Sequence, residues 1–191
     1  MLFRSLWVNL PAARKFAPSC YQDIRPDRLS LLTSDARGTL IRVIAGSFAG
    51  HDGPGVTYTP ISYAHATLAA GAELSTAWEP AYNALVYVLK GSGTVGAGAD
   101  ARPIRDGQLA VFGPGDAITV TAAARPSDAA VPSMDVLLLG GRPIGEPVVS
   151  YGPFVMNTRE EIMDAIRDYQ AGRMGVVPAI RLSSEMGEPR G

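Results

Sequence analysis

The chain of 191 residues is poor in the side chains that usually carry metal and redox chemistry. It has one cysteine, Cys20, and two histidines, His51 and His65. A single thiol cannot form a disulfide within the chain, and it argues against a thiolate zinc site. No His or second Cys stands near Cys20, which reads as an incidental thiol and fits a reducing cytosol. No apolar run approaches the ~20 residues that span a bilayer. The opening stretch MLFRSLWVNLPAARK is interrupted by Asn9 and Pro11 and makes a poor signal peptide. Neither sign of charge dominates: 17 basic and 18 acidic residues leave a net charge of −1. Electrostatics therefore predict neither a nucleic-acid surface nor a membrane surface. G-x-S-x-G and H-E-x-x-H are missing as well. GSGTVGAG, residues 91–98, resembles a nucleotide loop only superficially, because no lysine and no helix follow it. It reads as a run of β-turns.

What the chain does have is a 47 % hydrophobic content, enough for a packed core, punctuated by 21 glycines and 15 prolines. The apolar runs are short and β-rich. SLWVNLP (5–11) reads as a strand closed by Pro11, and residues 13–28 as an extended linker. GTLIRVIAG (38–46) and ISYAHATLAAG (61–71) read as strands either side of a Gly- and Pro-rich loop. NALVYVLKG, GTVGAG, GQLAVFGPG, DAITVTA and MDVLLLGG read as further separate strands. In GPG (113–115) the proline and the glycines predict a sharp turn. Six or more strands at this spacing argue for an antiparallel sandwich or barrel. In ALVYVL and LAVF, alternate large residues are expected to point inward and fill it.

The C-terminal part has a different period. NTREEIMDAIRDYQAG (157–172) predicts a helix over 158–171. Asn157 or Thr158 can cap it, Thr158 and Glu161 have capping-box spacing, and Gly172 suits the C′ position. Glu160 and Glu161 favour the positive end of the helix dipole. Ile162, Ile166 and Tyr169 fall on one face beside Ala165. Residues 178–191 are expected to be a mobile tail.

Gly71 to Gly115 resembles the cupin family, jelly-roll barrels with two spaced metal-binding motifs. Placing Gly71 and Gly91 on the glycines of the first motif puts its two histidine positions at Ala77 and Glu79, and its glutamate position at Ala84. Starting the second motif at Gly107 puts its histidine position at Ile118. The motif's proline is displaced, since Gly113 stands in its place and Pro114 follows. The turns are kept and the ligands are not. One carboxylate cannot supply the two His and one acid of a non-haem iron site. His51, in the glycine-rich loop, and His65, alternating with Tyr63 and Thr67, read as surface or wall residues.

The resemblance narrows further. GRPIGEPVVSYGPFVMNTREEIMDAIRDYQAGRMG (141–175) closely resembles the end of the pirin family. LWVNLP (6–11), YQDI (21–24), RVIAG (42–46) and TPISY (59–63) continue the match. Pirins have two cupin domains, with iron-binding His and Glu in the N-terminal one only. The resemblance implies an all-β fold: a single cupin-type antiparallel jelly-roll barrel with a C-terminal α-helix. It implies residues 1–27 as a residual inter-domain strand and linker, 28–150 as the C-terminal cupin and 151–177 as a helical extension. It also implies a truncated form without the metal-bearing barrel. No cofactor is then expected in this chain, whereas full-length pirins hold iron or another divalent transition metal.

Three functions are compatible with this reading. The first is a non-catalytic, cytoplasmic scaffold or interaction domain. The second is part of a pirin-type quercetin 2,3-dioxygenase completed by a metal-bearing cupin partner. The third is a barrel that binds a small molecule in the space left by Ala77 and Ala84. Self-association is expected if an apolar surface is left uncovered, with Trp7, Phe154, Met156, Ile162 and Ile166 as interface candidates.

Overall fold

The computed structural model describes residues 6–18, 21–33, 38–124 and 134–175. Cys20 and the C-terminal tail lie outside the described residues. The chain divides into two compact units, Phe16–Gly145 and Met1–Lys15 with Glu146–Gly191.

The larger unit holds strands β1 (Ser30–Thr33), β2 (Thr39–Ala45), β3 (Ser47–Phe48), β4 (His51–Asp52), β5 (Ile61–Leu68), β6 (Glu73–Ala77), β7 (Asn83–Val95), β8 (Arg102–Arg105), β9 (Leu109–Val111), β10 (Ala117–Ala122) and β11 (Met134–Gly141). Its main sheet has the order β1-β2-β5-β11-β7-β10-β6, with β8 and β9 also paired to β7. Every strand pairing in it is antiparallel. The sheet curls into a cupin-like half-barrel, the architecture expected from the strand pattern.

The alternation in TLIRVIA makes β2 strictly two-faced, with Ile41, Val43 and Ala45 buried and the residues between them half-buried. β5, β10 and β11 repeat the pattern. Their inward residues, among them Leu68, Val120, Met134 and Leu138, are fully buried in one core cluster.

The curl depends on β7. NALVYVLKG and GTVGAG, expected as two strands, form one strand of 13 residues. Its first part pairs with β11 and β9, and its second with β8 and β10. A bulge at Asp135/Val136 marks the change of direction. At the corner, a Cβ on Gly93 would lie 2.0 Å from the Thr121 carbonyl oxygen, so only glycine allows the two strands to approach.

Two local expectations are corrected. In β9 the large residues Leu109 and Val111 face outward and are exposed, while Ala110 and Phe112 pack on the core. The chain does bend at Pro114 of GPG, but neither glycine there takes a positive φ; the left-handed position beside this strand is Gly107, at +76°.

In the smaller unit a short hairpin, β12 (Val149–Tyr151) and β13 (Phe154–Met156), leads into helix α1 (Arg159–Gln170). Thr158 caps α1, and Thr158 and Glu161 form the complete capping box that the sequence predicts. Gly172 follows the helix with φ +70°. Met156, Ile162 and Ala165 form a small core against which Val149, Phe154 and Ile166 pack. Tyr169 is exposed and meets Phe154 edge-on, with ring centroids 6.1 Å apart.

SLWVNLP is not a strand over its described residues, Leu6 to Pro11. No strand pairs with it there, and the chain passes into a 3-10 turn at Ala12–Arg14. The Glu146 carboxylate ties this segment down: one oxygen accepts from the Ala12 amide at 2.7 Å and from Asn157 Nδ2 at 2.8 Å.

Candidate functional site

The four positions that cupins use for metal ligands carry three hydrocarbon side chains and one carboxylate. Ala77 ends β6 and is exposed, opposite Ala117 of β10. Glu79 lies in the following turn, also exposed, and accepts a hydrogen bond from the Ala81 amide at 3.3 Å. Ala84, on β7, is buried, and Ile118, on β10, is fully buried; both belong to the hydrocarbon core. Methyl and sec-butyl groups carry no lone pair, and the single carboxylate stands apart on the surface. The residues present do not fit a cupin metal centre. Among the described residues no group of three or more His, Cys, Asp and Glu could hold a metal ion.

Trp78, between Ala77 and Glu79 in the chain, is a buried member of the same core that the sequence pattern does not mark as functional. Trp78 is only 7 % exposed. The indole N–H donates to the Asn83 carbonyl at 3.2 Å, and the backbone amide donates to the Asp116 carbonyl at 2.7 Å. Gly140 makes room for it, since a Cβ there would stand 2.6 Å from the ring's Cζ2. The available signal was an aromatic residue set between two vacant ligand positions in an otherwise small-residue segment.

Above Trp78 the sheet opens into a cavity of about 690 Å³. One wall is the loop between β2 and β5; the other carries Glu79 and Tyr82. Tyr58, Asp52 and Ser62 line the first wall. A second cavity of about 570 Å³ lies along β7, β8 and β10, with Arg105, Ser92, Thr94 and Thr121 at its edge.

Neither histidine is among the residues that line the cavity above Trp78. His51 is exposed on β4, and its Nδ1 lies 3.0 Å from the Ala49 carbonyl, which makes Nδ1 the protonated nitrogen. His65 lies on the outer face of β5, between the Arg42 and Leu137 register positions. There Arg42 donates to Thr67 Oγ1 at 3.2 Å, and Thr67 donates to Asp135 Oδ1 at 2.8 Å. His65 Nε2 stands 3.4 Å from the same Asp135 oxygen, and Nδ1 is 3.4 Å from Arg42 Nη1. Burial pushes the His65 pKa below its ordinary value; Asp135 pulls it up and Arg42 pushes it further down. The ring is therefore neutral at neutral pH. Burial likewise raises the pKa of the neighbouring Tyr63 hydroxyl.

The interface candidates separate into two groups. Met156 and Ile162 are buried in the core of the smaller unit, so they are interior residues and not surface anchors. Phe154 and Ile166 are half-buried against them. Trp7 is 80 % exposed and lines a groove of about 380 Å³ with Val8, Leu10, Pro153 and Val155. The apolar residues that α1 presents to solvent are Met163 and Tyr169.

A curled antiparallel sheet with this strand order defines a cupin-type fold. Residues 63–175 match the Pirin C-terminal cupin domain, and the chain belongs to the pirin family. It is 39 % identical over 175 residues to a putative quercetin 2,3-dioxygenase of Vibrio cholerae, covering 87 % of this chain and 56 % of that protein. It is 34 % identical over 170 residues to Pirin-1 of Arabidopsis thaliana, covering 89 % of this chain and 57 % of that protein. Among solved structures it resembles a quercetin 2,3-dioxygenase from Acinetobacter baumannii, with a TM-score of 0.78 and 32 % identity over 88 % of this chain and 55 % of that one. The chain thus spans about half the length of the curated relatives it matches. Among the described residues no helix is long and apolar enough to cross a membrane.

Proposed function

We propose that this chain acts as the non-catalytic, metal-free cupin of a pirin-type assembly, a cytoplasmic scaffold or interaction domain. The observation that carries this reading is the burial of Ala84 and Ile118 in a continuous hydrocarbon core. A barrel with its interior occupied in this way is stabilised by packing, and a polar metal centre at the same positions would have to displace that packing. The natural partner on this reading is a metal-bearing cupin barrel.

Elemental analysis of the purified chain, combined with a quercetin turnover assay, tests the reading. The expected result is metal well below one equivalent per chain and no quercetin consumption. One equivalent of iron, nickel or copper held through dialysis against a weak chelator would overturn it.

A second reading is supported by the names of the relatives: part of a quercetin 2,3-dioxygenase, with the metal supplied by a partner barrel. Its signature would be quercetin consumption that appears only when a metal-bearing pirin cupin is added, and that rises with the amount of this chain.

A further inference from the structure

We propose that the cavity above Trp78 is a binding site for a small organic cation, an ammonium group carried on an aromatic or alkyl body. The proposal is independent of whether the chain serves a scaffold or an enzyme.

The size is suitable, since about 690 Å³ lies within the range of small-molecule sites. The charge pattern is one-sided. Asp52 and Glu79 line the cavity, and among the described residues no Lys, Arg or His does. Neither carboxylate forms an ion pair with any of the described residues. An anion would meet two uncompensated negative charges, whereas a cation would be attracted by both.

The neutral lining points the same way, because several of its donors are already used. The Tyr58 hydroxyl donates to the Pro18 carbonyl at 2.7 Å. The Trp78 N–H is taken by Asn83, and the Thr57 hydroxyl donates to the Thr59 carbonyl at 2.7 Å. Aromatic rings are also present, with Tyr58, Tyr82 and Trp78 around the cavity. Aromatic faces attract ammonium groups, and more strongly where water is partly excluded.

The loop wall is also held in place before any ligand arrives. The Gly53 amide donates to the Gly46 carbonyl and the Gly55 amide to the Ile44 carbonyl, each at 2.8 Å. The Gln22 side-chain amide pairs with both backbone groups of Val56, at 2.6 and 2.7 Å. Ser30 Oγ donates to the Asp52 carbonyl at 2.7 Å. Gly46 has φ +72°, and a Cβ on it would stand 1.9 Å from the Ile61 carbonyl oxygen. A wall fixed in this way loses little conformational freedom on binding.

The test is a titration of the full chain with benzyltrimethylammonium, read by calorimetry and by Trp fluorescence. The controls are 2-phenylethanol, which is neutral, and phenylacetate, which is anionic. The cation is expected to bind with a Kd below about 1 mM, and to weaken about fivefold or more in the Asp52→Asn/Glu79→Gln double variant. Added salt should weaken it further. Because both substitutions are at exposed positions, the variant should keep the wild-type circular dichroism spectrum. As a second variant, Tyr82→Leu should weaken the cation and leave the controls unaffected. No binding of the cation would overturn the proposal. So would binding of the neutral or anionic control as tight as the cation, or cation binding unchanged in the double variant.

Discussion

The two faces of the sheet are built from the same strands and differ in almost every physical respect. The inward face of β2, β5, β10 and β11 is closed hydrocarbon, with Leu68, Ile118, Val120 and Leu138 shut off from water. The outward face of β2, β5 and β11 carries Arg42, His65, Thr67 and Asp135, all partly exposed and joined by a chain of contacts between 2.8 and 3.4 Å. In this chain two of the four cupin ligand positions, Ala84 and Ile118, went to the first environment, and its only half-buried histidine went to the second. A cupin's geometry and a cupin's chemistry are thus separable: packing alone can maintain the curl.

Deleting core volume should show this most strongly. Ile118→Ala is expected to destabilise the protein by about 2–4 kcal/mol, because it leaves a cavity in a closed core. Urea denaturation with an unchanged m-value would measure it. A loss below about 1 kcal/mol would show that the site is loosely packed, and the comparison of faces would fail. Ile118→His sharpens the same point. It places an imidazole where family members that bind metal have one, but here among hydrocarbon. The expected outcome is a loss of stability that added iron or nickel does not restore, read as melting temperature with and without metal.

The corner of β7 should be next in magnitude. Gly93→Ala is expected to cost about 1–3 kcal/mol, since its Cβ would run into the Thr121 carbonyl oxygen. Outside the sheet, Thr158→Ala removes the helix cap and is expected to cost about 1 kcal/mol. That loss should appear as faster amide exchange in α1, with little change in the strands.

The outer face should give the smallest and the only pH-dependent effect. Because the folded-state pKa of His65 lies below its ordinary value of 6.5, the native state binds fewer protons than the unfolded state as pH falls. The contribution is fully present above about pH 6.5 and is lost as pH falls through the lowered native pKa. His65→Gln should flatten the stability profile in that acidic window. A profile unchanged by the substitution would mean that the Arg42–His65–Asp135 contacts carry no net linkage.

Legibility followed the distance over which each feature is determined. The capping box of Thr158 and Glu161, the C′ glycine at 172 and the two-faced pattern of TLIRVIA are local, and the structure has them where the sequence puts them. The long β7 looks like two strands in the sequence because Gly91 and Gly93 resemble terminators. They serve instead to bend a strand whose partners lie as far off as Met134. SLWVNLP has strand composition but no partner over its described residues, and composition cannot supply one. Residue type alone makes Met156 and Ile162 interface candidates, because the hairpin and helix that bury them against each other meet only through tertiary packing.

At the candidate site the same division holds. The vacancy of Ala77, Ala84 and Ile118 was plain from residue types alone. The role of Trp78, the donors consumed by Pro18, Asn83 and Thr59, and the acidic one-sidedness of the cavity were not. By itself, the sequence determined the family, the alternation that makes the sheet and the lack of lone pairs at the ligand positions, because each of these is a property of residue identity and short-range order. Only the tertiary structure decided which vacant positions became core, which stayed on the surface and what gathered around the opening between them. Those outcomes depend on strands far apart in the chain arriving side by side, and on which backbone groups are still unpaired when they do.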